Sequence, residues 1–81
     1  MKFQELDVVK TLCDFPDEKI NKGETGTVVA AFTNPNEAYE IEFCHKNGET
    51  KAMFAILPEN LELLTSYNYV PPNNLLRVSG K

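Results

Sequence analysis

The chain has 81 residues, a formal net charge of −4, and 42% hydrophobic and 25% charged residues. A chain of this length holds one domain and buries only about 60–65% of its unfolded surface, so little of its core can be given up to a deep substrate cavity. No apolar run approaches the about 18 residues that span a bilayer, and Met1 to Leu6 lacks the apolar stretch of a signal peptide, so the expected setting is cytoplasmic, without a membrane.

Short apolar segments recur between turn residues, the pattern of a small all-β domain. The first strand is expected over residues 6–13, where Val8, Val9 and Thr11 are β-branched. Asp14-Phe15-Pro16-Asp17 ends it, because proline has no N–H for a ladder. A polar loop follows over 17–25, with Gly23 near its end. The second strand is expected over 26–32 and is closed by the turn Thr33-Asn34-Pro35-Asn36.

The third and fourth strands can be paired in register from the sequence. Asn47-Gly48 is a strong hairpin signal, since a type I′ turn needs two residues at positive φ. With these two at the tip, Lys46 faces Glu49, Cys44 faces Lys51, Phe43 faces Ala52, Ile41 faces Phe54 and Tyr39 faces Ile56. Directly opposed residues share a face. Tyr39, Ile41, Phe43, Ala52, Phe54 and Ile56 then form an apolar face, and Glu40, Glu42, Cys44, Lys51 and Met53 the other. A one-residue slip would set Glu42 against Ala52, so turn and pattern specify the same register.

Pro58-Glu59-Asn60 reads as a single helical turn or a tight bend leading to a short last strand over 61–64. The expected fold is therefore all-β, a small five-stranded SH3-like barrel over 1–64 with a C-terminal extension over 65–81. The extension holds Tyr67, Tyr69, Val70, Leu75, Leu76 and Val78 around Pro71-Pro72, and is expected to pack on the barrel or on a partner.

Charge divides along the same boundary. Residues 1–64 carry all 12 acidic groups and 6 of the 8 basic ones, a balance of −6, whereas 65–81 carry only Arg77 and Lys81. An acidic body repels phosphate backbones and favours a basic protein partner.

Catalytic chemistry finds few components here. The only histidine, His45, flanks the hairpin tip, and Cys44 next to it falls on the opposite side of the strand. Two cysteines and one histidine without C-x-x-C spacing do not make a zinc site, so no metal or cofactor is expected. Without a secretion signal, Cys13 and Cys44 are expected as reduced, half-buried thiols. Glu40 and Glu42 lie about 7 Å apart on one strand face, which suits paired-carboxylate chemistry only inside a cleft. Gly23-Glu24-Thr25-Gly26 matches no phosphate-binding fingerprint and reads as the turn into the second strand. The expectation is that the protein is not an enzyme.

Three segments together resemble a family of small, functionally uncharacterised bacterial domains: Glu5-Leu6-Asp7-Val8-Val9, Lys22-Gly23-Glu24-Thr25-Gly26-Thr27-Val28-Val29 and Glu37-Ala38-Tyr39-Glu40-Ile41-Glu42-Phe43. The resemblance covers residues 1–64, and the second strand with its preceding glycine is similar to the KOW-type element of SH3-like barrels. It implies an SH3-like fold without catalytic residues, and some such proteins resemble immunity proteins that neutralise a toxin encoded beside them. On that reading the domain binds a protein partner, a basic toxin domain, through Asp17, Glu18, Glu37, Glu40, Glu42, Tyr67 and Tyr69. An adaptor subunit of a larger complex is the alternative; a KOW-like nucleic-acid-binding domain is disfavoured by the acidic body.

Overall fold

The computed structural model describes residues 1–66. Five strands, β1 (Val8–Thr11), β2 (Thr25–Phe32), β3 (Ala38–Cys44), β4 (Thr50–Ile56) and β5 (Leu61–Thr65), form one antiparallel sheet in the order β4-β3-β2-β1-β5. The all-β, five-stranded expectation holds. Closure into a barrel does not: among the described residues no pairing joins β4 to β5, and these two strands are the edges.

One sheet can still enclose one core because it bends. Three of the four strand pairings carry a register shift, at Val8/Val9, at Val28/Ala30 and at Phe43/Cys44. Each bulge adds a residue to one strand and sharpens the local twist. The inner face holds Val9, Val28, Tyr39, Ile41, Phe43, Ile56 and Leu61, with Phe15, Ala52 and Phe54 packed around them. Phe3 and Ile20 complete the core from outside the strands, at 2% and 0% exposure. Neither was expected from the sequence, since each stands alone in a polar segment.

β1 is shorter at both ends than the expected 6–13. Leu6 takes a φ of 74°, a left-handed conformation that ends the extended run. Past Thr11 a single bond continues the β5 register, from the Leu12 N–H to the Asn60 carbonyl at 2.9 Å, because the Asn60 N–H is given to the Leu57 carbonyl. The polar loop expected over 17–25 is folded against the core. A short 3-10 turn (Pro16–Glu18) lets Phe15 pair with Ile20, which seals Ile20 inside. Thr11, buried, then fastens the loop: its hydroxyl donates to the Asn21 carbonyl at 3.1 Å and accepts the Gly23 N–H at 3.1 Å.

The β3–β4 register is as expected from Tyr39–Ile56 to Phe43–Ala52, and then departs from it. Cys44 pairs with Thr50, not Lys51. The cause is the turn. Only Gly48 has a positive φ, 93°, and the His45 N–H donates to the Glu49 carbonyl at 2.8 Å. The loop is thus Lys46-Asn47-Gly48, the pattern of a type I turn followed by a left-handed glycine in place of type I′. One residue is gained at the tip and taken up by the bulge at Lys51.

Gly26 has a different task from the expected turn. It lies buried within β2, where an added Cβ would stand 2.6 Å from Ile41 Cγ2 and 2.9 Å from the Glu42 carbonyl. The missing side chain lets β2 approach β3. Gly23, with a φ of 92°, does serve the turn.

Both described cysteines are free thiols; Cys13 is half-buried and Cys44 exposed, so the expectation of a half-buried Cys44 is corrected. Among the described residues no helix is long and apolar enough to cross a membrane.

Candidate functional site: the outer face of β2, β3 and β4

Alternation along β3 turns Glu40 and Glu42 away from the core that Tyr39, Ile41 and Phe43 enter. The pairing places each carboxylate in a row that runs across three strands. Glu42 sits between Thr27 and Met53, and Glu40 between Ala30 and Ala55. The next row brings Phe32 beside Ala38. Leu57 follows Ile56 in extended backbone and so points to the same outer side.

The result is a sheet face with a low alanine floor at 30, 38 and 55. Phe32 (42% exposed), Met53 (51%) and Leu57 (41%) stand around it. Large apolar side chains gathered on one solvated face are less usual than single exposed ones and mark interaction surfaces. Glu42 accepts a hydrogen bond from the Thr50 hydroxyl at 2.5 Å. Among the described residues, the ion pairs are Lys10 with Glu62 at 3.4 Å and Lys51 with Glu24 at 2.8 Å, so neither Glu40 nor Glu42 has a cationic partner there.

The other acidic candidates stand elsewhere. Asp17 and Glu18 are exposed on the 3-10 turn, whose neighbour Phe15 packs on Phe54 from the core side at 5.2 Å. They do not share the face of Glu40 and Glu42. Glu37 is turned to the N-terminal segment, where its carboxylate accepts the Lys2 N–H at 3.0 Å and the Tyr39 hydroxyl proton. The same hydroxyl accepts the N–H groups of Lys2, at 2.8 Å, and Phe3, at 3.1 Å. Phe3 lies edge-on to Tyr39 with ring centroids 5.1 Å apart.

This latch accounts for the titration of its members. The Tyr39 hydroxyl, then the Lys2 N–H, hold Glu37 below its ordinary carboxylate range. Burial first, and the bond to Glu37 second, push Tyr39 up. Glu24 is also lowered, first by the Lys51 ammonium and then by the Asn21 N–H, in an ion pair that ties the loop before β2 to β4. Tyr67 and Tyr69 lie outside the described residues.

Among the described residues no group of three or more His, Cys, Asp or Glu side chains is placed to hold a metal ion. His45 is exposed beside the hairpin tip, with Cys44 exposed next to it.

What the fold and this face define is a small antiparallel β domain whose one sheet keeps a closed core on one side and an acidic, apolar-framed surface on the other. Residues 5–63 match the family model described as a domain of unknown function (DUF4926), and the chain belongs to that family. No curated protein and no solved structure matches the chain.

Proposed function

We propose that the domain works by binding, as an immunity-type protein that engages a basic toxin and neutralises it in the cytoplasm. The observation that carries the reading is the outer face of β2–β3–β4. Two carboxylates without a cationic partner among the described residues stand on it, in the midst of exposed Phe32, Met53 and Leu57. Fixed carboxylates on a rigid strand speed encounter with a basic surface and select against acidic partners. The apolar side chains supply the anchors that area and desolvation reward. The balance of −6 over residues 1–64 adds a long-range field of the same sign. Asp17 and Glu18 at the 3-10 turn, and Tyr67 and Tyr69 beyond the described residues, are a second set of contacts in this reading.

Co-expression with the product of the adjacent gene tests it. The expected result is that the wild-type chain suppresses that product's toxicity and that the double variant Glu40→Lys, Glu42→Lys does not. A harmless neighbour, or full protection by the double variant, overturns the reading.

A further inference from the structure

The two edges of the sheet are not alike. Natural edge strands are blunted by charge, proline, bulges or a covering segment, because an open row of N–H and C=O groups recruits other strands. β5 carries Glu62, ion-paired to Lys10, and has a bulge in its pairing with β1. Among the described residues β4 is guarded only at its ends, by the bulge and Lys51 at one and by Pro58 beyond the other. Between them the run 52–56, Ala-Met-Phe-Ala-Ile, has regular pairing to β3, no charge and no proline. It is also the rim of the core. Ala52 and Phe54 are only half-buried, although Phe54 stacks on Phe43 at 5.6 Å.

We propose that the edge of β4 is the interface for a second copy of this chain, joined by antiparallel pairing of β4 with β4 across a two-fold axis. The run is complementary to itself. Pairing centred on Phe54 sets Phe54 against Phe54 and Ala52 against Ile56 on the core side, and Met53 against Ala55 on the outer side. Small meets large in the flanking pairs, and the two phenylalanines cover each other's exposed rim.

Charge permits the pairing and argues for a copy over a basic strand. Within 52–56 there is no carboxylate to select a cation, and no like charges oppose each other. In this register Glu42 of one copy and Glu40 of the other are three strand spacings apart, about 14 Å. That exceeds the Debye length of about 8 Å at physiological salt, so the acidic columns of the two copies are screened from each other. The joined sheet sets both outer faces side by side and leaves Glu40 and Glu42 open.

The test is the mass of the full chain in solution, by light scattering on a size-exclusion column over a dilution series, with amide exchange read in parallel. The expected species at high concentration is about twice the 9.1 kDa chain, and protection of the outward amides in 52–56 should fall on dilution. The variant Met53→Lys, Ala55→Lys places four ammonium groups at the axis and is expected to weaken association at least tenfold while melting cooperatively. Glu40→Lys, Glu42→Lys is expected to leave the mass unchanged, which separates this interface from the carboxylates of the binding face, with which it shares Met53. A single 9.1 kDa species throughout, or a dimer that survives Met53→Lys, Ala55→Lys, overturns the proposal. So does protection of 52–56 that arises only on adding the adjacent gene's product, since the edge would then belong to that partner.

Discussion

β3 presents the same backbone to two different environments. Its inward residues, Tyr39, Ile41 and Phe43, are no more than 1% exposed and belong to one core with Val9, Val28, Ile56 and Leu61 of the other strands. Its outward residues, Glu40 and Glu42, face solvent among alanines and three exposed apolar side chains. The comparison separates what holds the domain together from what is left available. Two of the five acidic candidates illustrate it. Glu37, three residues before Glu40, is occupied in tying the N-terminus to Tyr39, whereas Glu40 is committed to nothing among the described residues.

If the inner face carries the stability, substitutions there should be costly and graded by what they disturb. Ile41→Ala leaves a cavity at the centre of the sheet and is expected to destabilise by about 2–5 kcal/mol, read by denaturant unfolding. Gly26→Ala should cost about 1–3 kcal/mol by overpacking, because the new methyl meets Ile41 Cγ2 and the Glu42 backbone, which cannot both retreat. Tyr39→Phe keeps the ring but leaves the Phe3 N–H without its acceptor, the Lys2 N–H with the Glu37 carboxylate alone, and that carboxylate without the hydroxyl proton. About 1–2 kcal/mol is expected for it, with faster amide exchange at Lys2 and Phe3.

The pH dependence tests the same latch by another route. Glu37 is lowered below its ordinary value of 4.5, so the stability it contributes is complete above that value and is lost as pH falls through it and below. Thermal melts of wild type and Glu37→Gln should differ near neutrality and converge in acid. A constant difference would mean that the carboxylate's charge is not what the latch uses. The smallest effect should be on the outer face. Glu40→Gln should change stability by no more than about 0.5 kcal/mol. A larger loss would make Glu40 part of the fold's support.

The fold was legible where two independent signals met. The Asn47-Gly48 tip and the alternation from Tyr39 to Ile56 agreed on the β3–β4 pairing, and that pairing alone set Glu40 and Glu42 outside. The signals failed where a single residue acts over a long range. Phe3 enters the core because the Tyr39 hydroxyl holds its backbone, and Ile20 because Phe15 pairs with it across the 3-10 turn. Periodicity carries no trace of either contact. The bulges were equally hidden, since Val29 and Lys51 look like ordinary strand residues, and with them the bend that lets an open sheet surround its core. The outer face was half visible. Its carboxylates came from alternation, but Phe32 and Leu57 join it only through the β2–β3 register and the extended backbone after β4.

The central claim is that one side of the sheet is for folding and the other for binding. Titration of the purified chain with the adjacent gene's product, by calorimetry at two salt concentrations, tests it most directly when repeated with Glu40→Lys, Glu42→Lys. The account predicts that the double variant melts as the wild type does and binds at least a hundredfold more weakly. It also predicts that wild-type affinity falls as salt rises. Binding by the double variant as tight as that of the wild type, with the same salt dependence, would contradict it.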